Sequence, residues 1–254
     1  MEIYLDTGVI DEIAAAKELG VLRGVTTNPS HMFKAGHHDA RRAIQEICWT
    51  GDVPTSMEVT EPDAAGMLEQ AAEISTWSPN VVVKLPTTTE GLKSMSVLSR
   101  QEHAATCAGC PHLPGCPIRR RHQEAGTLRR KPPINATVIF APGQAVAASA
   151  AGAAYVSPFV GRLDSIGQEG LTLLRDIAEI FAVHDIPTRI ISAAMRNPIQ
   201  VTESFKAGAQ ICTMGWAVLD QLIHHPLTEA AVEGFTRDWA ELQKLKGEAA
   251  VPTP

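Results

Sequence analysis

The chain has 254 residues, of which 44% are apolar and 5% aromatic, and its formal net charge is −6. The apolar content is sufficient for one large core. The acidic charge and the few aromatic residues argue against a surface built to bind nucleic acid or anionic lipid. No basic region followed by a long apolar segment marks the N-terminus for export, so we expect a cytoplasmic protein without a membrane partner.

Eight short apolar runs predict β-strands. They are rich in β-branched residues, and most of them lead to a polar residue able to take part in chemistry. In chain order the runs cover residues 3–5, 24–27, 54–57, 81–85, 134–140, 155–160, 189–192 and 211–214.

Segments with helical spacing lie between most of these strands. They cover residues 10–19, 40–47, 64–74, 91–98, 144–151, 171–181, 199–207 and 217 onward. Eight alternations of strand and helix predict a single-domain α/β protein, a (β/α)8 TIM barrel. The carboxyl ends of the strands then meet at one face, which would bring together Asp6, Asn28, Glu58, Lys84, Thr137 and Arg162.

Residues 132–161 carry no formally charged side chain. A membrane span would need a continuous apolar helix, but Asn135, Pro142 and Pro158 interrupt the run. We therefore divide the run into strand, helix and strand.

Lys84 follows Val81, Val82 and Val83 in a strand that reads as buried. A lysine at such a position must be paired with a carboxylate or be neutral, and a neutral amine is the nucleophile that forms a Schiff base with a ketone. The alternative is a strand-end lysine that reaches solvent or a structural partner.

Four motifs together resemble the transaldolase family, in particular its short branch that includes the fructose-6-phosphate aldolases. The motifs are Leu5-Asp6-Thr7, GVTTNPS at 24–30, VKLP at 83–86 and SPFVGR at 157–162, and the resemblance covers about residues 1–98 and 132–240. It implies a (β/α)8 barrel in which Lys84 forms a Schiff base with a ketose without metal or organic cofactor. It also implies sugar-phosphate substrates, a place in the pentose phosphate pathway and a homo-oligomer.

The resemblance also implies a role for each matching residue. Asp6 would take the proton from a sugar hydroxyl as the carbon–carbon bond breaks, and Glu58 with Thr137 would hold a catalytic water. The residues that would orient substrate hydroxyls or the lysine, or line the cavity, are Thr27, Asn28, Asn135 and Ser157. The alternative for Asp6 is a helix N-cap, and for Glu58 an ordinary exposed charge.

Arg162 and Arg196 are expected to bind the substrate phosphate, because a guanidinium presents a planar fork to phosphate oxygens. The family usually has a serine where Ala194 stands, so one hydroxyl contact to phosphate is missing. Phe159 and Glu58 stand where the family's aldolases tend to have tyrosine and glutamine. This pair favours a transaldolase that transfers a dihydroxyacetone unit over a fructose-6-phosphate aldolase that releases it.

An insertion of roughly thirty residues, at about 99–131, precedes the fifth predicted strand. It contains Cys107, Cys110 and Cys116, and with His112 as fourth ligand these predict a structural zinc site. His103 and His122 are other candidate ligands, and a disulfide, a mobile basic loop or a docking surface are the competing interpretations. A different interpretation of the whole chain is a weakly catalytic barrel in which the insertion serves as a metal-binding or interaction module.

Because the insertion joins a helix to the next strand, we expect it at the N-terminal face of the barrel, opposite the chemistry. Cys48 and Cys212 lie in apolar surroundings and are predicted to be inert core thiols. At the C-terminal end, a helical segment is predicted at about 217–245, and its part around 230–245 would pack against a neighbouring subunit or its own barrel.

Overall fold

A computed structural model describes residues 1–249, with side chains up to residue 246. The barrel strands are β1 (Glu2–Asp6), β2 (Leu22–Thr26), β3 (Thr55–Glu58), β4 (Val81–Pro86), β7 (Ile134–Ile139), β8 (Tyr155–Pro158), β9 (Arg189–Ser192) and β10 (Ile211–Met214). These eight parallel strands close a barrel in the order β1-β10-β9-β8-β7-β4-β3-β2. This confirms the predicted (β/α)8 fold.

Twelve helices within residues 1–249 accompany the barrel. In chain order they are α1 (Ile10–Glu18), α2 (Pro29–Lys34), α3 (Ala40–Gly51), α4 (Ala64–Ser75), α5 (Thr89–Leu98), α6 (Pro117–Glu124), α7 (Pro142–Ala150), α8 (Val160–Asp164), α9 (Gly170–Val183), α10 (Pro198–Lys206), α11 (Trp216–Ile223) and α12 (Pro226–Ala249). Five of them begin at a side chain that accepts a hydrogen bond from the first turn and so satisfies a free backbone N–H. These caps are Asn28, Asp39, Asp63, Thr88 and Asn197.

Three short helices, α2, α6 and α8, were not expected from hydrophobic spacing. Each is eight residues or fewer, too short to show a clear helical period. α8 begins at Val160, so the strand predicted over 155–160 ends at Pro158. The charge-free stretch does divide into β7, α7 and β8. Among residues 1–249, no helix is both long and apolar enough to cross a membrane.

The strand register places three polar residues side by side inside the barrel. Glu58 on β3 lies opposite Lys84 on β4, and Lys84 lies opposite Asn135 on β7. β4 and β7 are therefore direct neighbours although the whole insertion separates them in sequence. The barrel tolerates the insertion because it leaves the pairing of these two strands unchanged.

The insertion folds into a short antiparallel pair, β5 (His103–Ala104) and β6 (Arg129–Arg130), with α6 between them. Arg121 on α6 makes two hydrogen bonds to the carboxylate of Asp52, at 2.9 and 2.7 Å. Arg130 donates to the carbonyl oxygens of Pro79 and Val81.

Those partners of the insertion precede or begin β3 and β4. The insertion therefore covers the N-terminal face of the barrel, as predicted, and these contacts dock it there.

The helix α12 leaves an apolar stripe exposed. Val232, Phe235, Trp239 and Leu242 recur at helical spacing, and Phe235 and Trp239 are 72% and 59% exposed. The helical segment predicted at about 217–245 is divided between α11 and α12, and the apolar stripe of α12 is not covered by its own barrel.

Candidate active site

Lys84 is buried at the carboxyl end of the barrel. Its side-chain amine donates a hydrogen bond to the carbonyl oxygen of Thr27 at 2.9 Å and lies 3.1 Å from Oε2 of Glu58. The buried lysine is thus paired with a carboxylate, which is one of the two states expected from the sequence. The interpretation of Lys84 as a lysine that reaches solvent is wrong, since only 5% of the residue is exposed.

Glu58 is likewise not an ordinary exposed charge. Its carboxylate is directed at the Lys84 amine rather than at solvent. A carboxylate in this position can accept a proton from the ammonium group, and loss of that proton is required before the amine attacks a carbonyl carbon.

Asp6 ends β1 and faces two groups on neighbouring elements. Thr26 Oγ1 donates to Asp6 Oδ1 at 2.7 Å, and Nδ1 of His31 lies 3.4 Å from the same oxygen. Val9, not Asp6, stands at the N-cap of α1, so the interpretation of Asp6 as a helix cap is wrong.

The pKa of Asp6 is lower than its ordinary value. Burial by itself would raise this pKa, but the hydrogen bond and charge of His31, the charge of Lys84 and the hydrogen bond from Thr26 outweigh burial. The side chain is therefore held as a carboxylate, the form that can accept a proton.

Asn135 and Ser157 belong to one buried hydrogen-bond network. Ser157 Oγ donates to Asn135 Oδ1 at 2.7 Å, and Asn135 Nδ2 donates to Ser56 Oγ at 3.2 Å. The network fixes the orientation of the Asn135 amide next to Lys84. Thr27 contributes in a different way, because its carbonyl oxygen accepts from Lys84 while its hydroxyl donates to Ser56 O at 2.8 Å.

Thr137 lies in β7 with its register partner Pro86 on β4. Its hydroxyl is buried and has no hydrogen-bond partner among the residues that the structure describes. Buried hydroxyl groups in proteins are usually hydrogen-bonded. The free hydroxyl inside the barrel is therefore suited to a substrate hydroxyl or a water molecule.

The Asn28 side chain caps the N-terminus of α2. Its Oδ1 accepts from the backbone N–H of His31 at 2.9 Å, and its Nδ2 lies 3.3 Å from Nδ1 of His31. The side chain thus begins α2 and contacts the histidine beside Asp6. The hydrogen bond to Lys84 is made by the preceding residue, Thr27, through its backbone carbonyl oxygen.

Phe159 and the two arginines stand at the rim of the site. Phe159 precedes α8, and its ring meets Phe140 edge to face with centroids 5.7 Å apart. Arg162 lies on α8 after β8, Arg196 lies on the loop after β9, and neither exposed side chain makes an ion pair within the described part of the chain. A Cβ on Gly161 would lie 1.9 Å from Ala194 O, so only glycine allows α8 to approach this loop so closely.

Three further residues belong to the site and were not singled out from the sequence. They are Ser56, which binds Asn135, Thr213, whose hydroxyl lies 2.6 Å from that of Thr26, and His31. Thr213 is the one polar residue of β10, and that pattern was a usable signal, whereas Ser56 lies between the polar Thr55 and an apolar Met57 in β3 and does not stand out. His31 follows the GVTTNPS motif directly, but its contact with Asp6 depends on how α2 packs.

Of the four predicted zinc ligands, Cys107, Cys110 and Cys116 line one cavity, and His112 is not among its lining residues. Within residues 1–249 the structure contains no group of three or more histidine, cysteine or acidic side chains placed to hold a metal ion. His112 stacks on Trp49 with the ring centroids 4.3 Å apart, and its Nε2 lies 2.7 Å from Glu46. These contacts occupy His112 away from the three cysteines, and the zinc site stays a prediction.

The three cysteines of the insertion instead line a cavity of about 20 Å³ together with Cys48. All five cysteines of the chain are free. Burial raises the pKa of Cys107 and of Cys48 to about 11, and that of Cys212 to about 12. Protonated thiols are poor nucleophiles, which fits the prediction that Cys48 and Cys212 are inert.

Comparison with known proteins shows the family of the chain. The model of the family described as transaldolase/fructose-6-phosphate aldolase matches residues 3–249. A protein of Clostridium botulinum (strain Eklund 17B / Type B), named probable transaldolase, is 44% identical over 244 residues, which cover 96% of this chain and 100% of that protein. A protein of Pelotomaculum thermopropionicum with the same name is 42% identical over 243 residues, with 96% and 99% covered.

Among solved structures, the chain is similar to a protein of Coccidioides immitis assigned as a fructose-1,6-biphosphate aldolase. The TM-score is 0.52 at 17% identity, and the match covers 86% of this chain and 75% of that one. At this identity the similarity supports the barrel fold alone.

Proposed function

Because the chain belongs to the transaldolase/fructose-6-phosphate aldolase family, we propose that it transfers a dihydroxyacetone unit between sugar phosphates through a Schiff base on Lys84. The observation that carries the proposal is the buried Lys84 amine, 3.1 Å from the Glu58 carboxylate and 2.9 Å from Thr27 O. An amine between a proton acceptor and a fixed carbonyl oxygen is oriented for attack on a ketone.

The reaction begins when Glu58 accepts a proton from the Lys84 ammonium and the free amine adds to the ketose carbonyl. Loss of water from the resulting carbinolamine needs a proton on the leaving hydroxyl, which Glu58 can return through a water held with the Thr137 hydroxyl. The partnerless Thr137 hydroxyl supports this role.

Asp6 then takes the proton from a hydroxyl of the bound sugar. The carbon–carbon bond breaks, its electrons pass to the iminium on Lys84, and an aldose phosphate leaves while the three-carbon unit stays as an enamine. Addition of the enamine to a second aldose reverses these steps. The lysine itself is the electron sink, so we propose no metal or organic cofactor for the reaction.

Arg162 and Arg196 would bind the phosphate of either sugar. Arg162 on α8 and Arg196 on the loop after β9 belong to neighbouring segments, and two guanidinium groups can supply charge-assisted hydrogen bonds to phosphate oxygens. Ala194, on the same loop as Arg196, offers no hydroxyl, so we expect phosphate binding to depend on the arginines.

Fructose-6-phosphate aldolase activity is the second candidate. Phe159, which lacks a hydroxyl, and Glu58 favour transfer, because slow proton delivery to the enamine lets the intermediate persist until an acceptor arrives. The interpretation as a weakly catalytic barrel with an interaction loop is less well supported, because Lys84, Glu58 and Asp6 are assembled at one end of the barrel.

Borohydride trapping tests the proposal. Incubation with fructose 6-phosphate and borohydride should add sugar mass to the peptide that contains Lys84. The Lys84→Arg variant should not be labelled, since a guanidinium is always protonated. Lys93→Arg, on the exposed face of α5, is the matched control and should label normally. Labelling at another lysine in the Lys84→Arg variant would reject the assignment.

We also propose that the chain forms a homo-oligomer in the cytoplasm. The exposed apolar stripe of α12 supports a contact with a second copy, since a stripe that includes Phe235 and Trp239 is costly to leave in water. Light scattering should find an assembly for the wild type, and Trp239→Glu should reduce its size. A wild type that is monomeric at micromolar concentration would contradict the proposed oligomer.

Five free thiols suit a reducing compartment such as the cytoplasm.

A further inference from the structure

His31 lies beside Asp6 at the carboxyl end of the barrel, and the proposed reaction gives it no role. Its Nδ1 lies 3.4 Å from Oδ1 of Asp6 and 3.3 Å from Nδ2 of Asn28. The backbone N–H of His31 donates to Asn28 Oδ1, which fixes the first turn of α2 and with it the imidazole. One ring nitrogen therefore lies between an amide donor and a carboxylate.

This placement suits an imidazole in either protonation state. When Nδ1 has no proton it can accept from the Asn28 amide, and when it is protonated it can donate to the Asp6 carboxylate. Histidine is the side chain that exchanges protons most readily near neutral pH. The side chains of His31 and Asp6 are 25% and 24% exposed, so the pair lies at the border between the barrel interior and solvent.

Thr26, the other side chain that contacts Asp6, cannot take up a proton in the same way. Thr26 donates its hydroxyl hydrogen to Asp6, and its oxygen lies next to the Thr213 hydroxyl inside the barrel. Both threonines are buried. A hydroxyl pair of this kind orients the carboxylate, but it does not hold an additional proton at neutral pH.

The charged and titratable groups around the pair are Lys84 on β4, Glu58 on β3, Glu12 on α1 and His37 after α2. Lys84 and Glu58 pair with each other. Glu12 accepts from the Thr7 hydroxyl, and Nε2 of His37 lies 2.7 Å from Gly8 O. His31 is thus the titratable group in contact with Asp6.

We propose that His31 stores the proton that Asp6 removes from the donor sugar and returns it when the acceptor aldehyde adds. The step rests on the proposed function, which makes Asp6 the base. The sugar O–H bond breaks and Asp6 takes the proton. His31 starts this step as a neutral imidazole, and the proton passes to the lone pair of its Nδ1, so that a carboxylate and an imidazolium remain. When the enamine adds to the acceptor, the proton moves back through Asp6 to the new alkoxide oxygen, and no net proton is gained or lost.

The environment of Asp6 gives a reason for storing the proton elsewhere. Burial raises the pKa of Asp6, but a protonated His31 lowers it through its hydrogen bond and its charge, so the proton stays on the imidazole rather than on the carboxylate. An ion pair with a protonated His31 keeps the proton within reach while one aldose phosphate leaves and another binds. His31 acts through Asp6, and we class it as a positioning and proton-storing residue.

The test compares His31→Ala and His31→Gln with the matched control His38→Gln, which changes an exposed histidine in the next loop. We expect both His31 variants to lower kcat/KM for transfer by about 10²-fold, at the lower end of the range for lost acid–base assistance. Imidazole in the buffer should restore part of the rate of His31→Ala. The pH dependence of kcat/KM should lose an ionisation in both variants, and His38→Gln should match the wild type.

Borohydride trapping on Lys84 separates failure of this inference from failure of the proposed function. The His31 variants should still be labelled, because Schiff-base formation does not use the Asp6 proton. Labelled variants whose kcat/KM, pH profile and response to imidazole equal those of the wild type would overturn the role of His31. A loss of rate that neither pH nor imidazole alters would also overturn it, as a purely structural effect. A wild type that is not labelled would reject the proposed function itself.

Discussion

Lys84 Nζ and Glu58 Oε2 lie 3.1 Å apart on adjacent strands, with side chains only 6% and 18% exposed. The pair follows directly from the register, because Glu58 and Lys84 are partners in the β3–β4 ladder. In so little water the carboxylate is the nearest group that can exchange a proton with the amine.

Glu58→Gln should lower transferase kcat/KM by about 10²- to 10⁴-fold, the usual loss when an acid–base group is removed. The amide keeps the shape of the side chain but cannot accept the ammonium proton. The rate of borohydride labelling at Lys84 should fall in parallel. Glu61→Gln, an exposed change in the loop after β3, is the control. Labelling at the wild-type rate in Glu58→Gln would show that Glu58 does not activate the lysine.

Phe159→Tyr should raise cleavage relative to transfer. The new hydroxyl lies at the rim of the site and can deliver a proton to the enamine, which then leaves as dihydroxyacetone. Product analysis with fructose 6-phosphate, with and without an aldose phosphate acceptor, measures the ratio. Phe33→Tyr, on the exposed face of α2, should leave the ratio unchanged. If the wild type already releases dihydroxyacetone as its main product, the transaldolase assignment is wrong.

Arg162→Ala and Arg196→Ala should each raise KM for fructose 6-phosphate by about 10- to 100-fold, which corresponds to about 1.5–3 kcal/mol for a hydrogen bond to a charged group. KM for unphosphorylated fructose should change little. Arg175→Ala, an exposed arginine paired with Glu169 on the surface, is the matched control. An equal rise in KM for both sugars would show that the arginines do not recognise the phosphate.

Acid should remove a stabilising contribution of Asp6. Its pKa is lowered in the folded protein, so the charged form contributes stability above the ordinary aspartate value of about 3.9, and that contribution is lost as the pH falls further. The free energy of unfolding of the wild type relative to Asp6→Asn should therefore decline as the pH falls below about 4. Denaturant unfolding at several pH values measures this difference. A difference that grows in acid would mean that the pKa is raised.

Arg121→Ala should loosen the insertion without affecting the chemistry. The lost pair with Asp52 is partly exposed, so we expect a cost of about 1 kcal/mol or less in global stability. Limited proteolysis should cut residues 99–131 faster, while kcat/KM stays unchanged because the site lies at the opposite end of the barrel. Arg120→Ala changes an exposed neighbour on α6 and is the control. A parallel loss of activity would show that the insertion and the site are coupled.

The sequence by itself determined the barrel and the set of residues at its carboxyl end. Strand and helix periods are local properties, and the alternation of the two leads to parallel neighbours whose carboxyl ends meet. The sequence therefore predicted that Asp6, Glu58 and Lys84 lie close together. The motifs added the roles of residues such as Asn135 and Thr137, whose chemistry no local pattern reveals.

Only the tertiary structure decided which side chains touch. The contact between His31 and Asp6 depends on how α2 packs on the barrel. His112 turned to Trp49 and Glu46, whereas Cys48, far from the insertion in sequence, came to line its cavity. Contacts of this kind arise from packing and side-chain orientation across long sequence separations, and spacing along the chain carries no record of either.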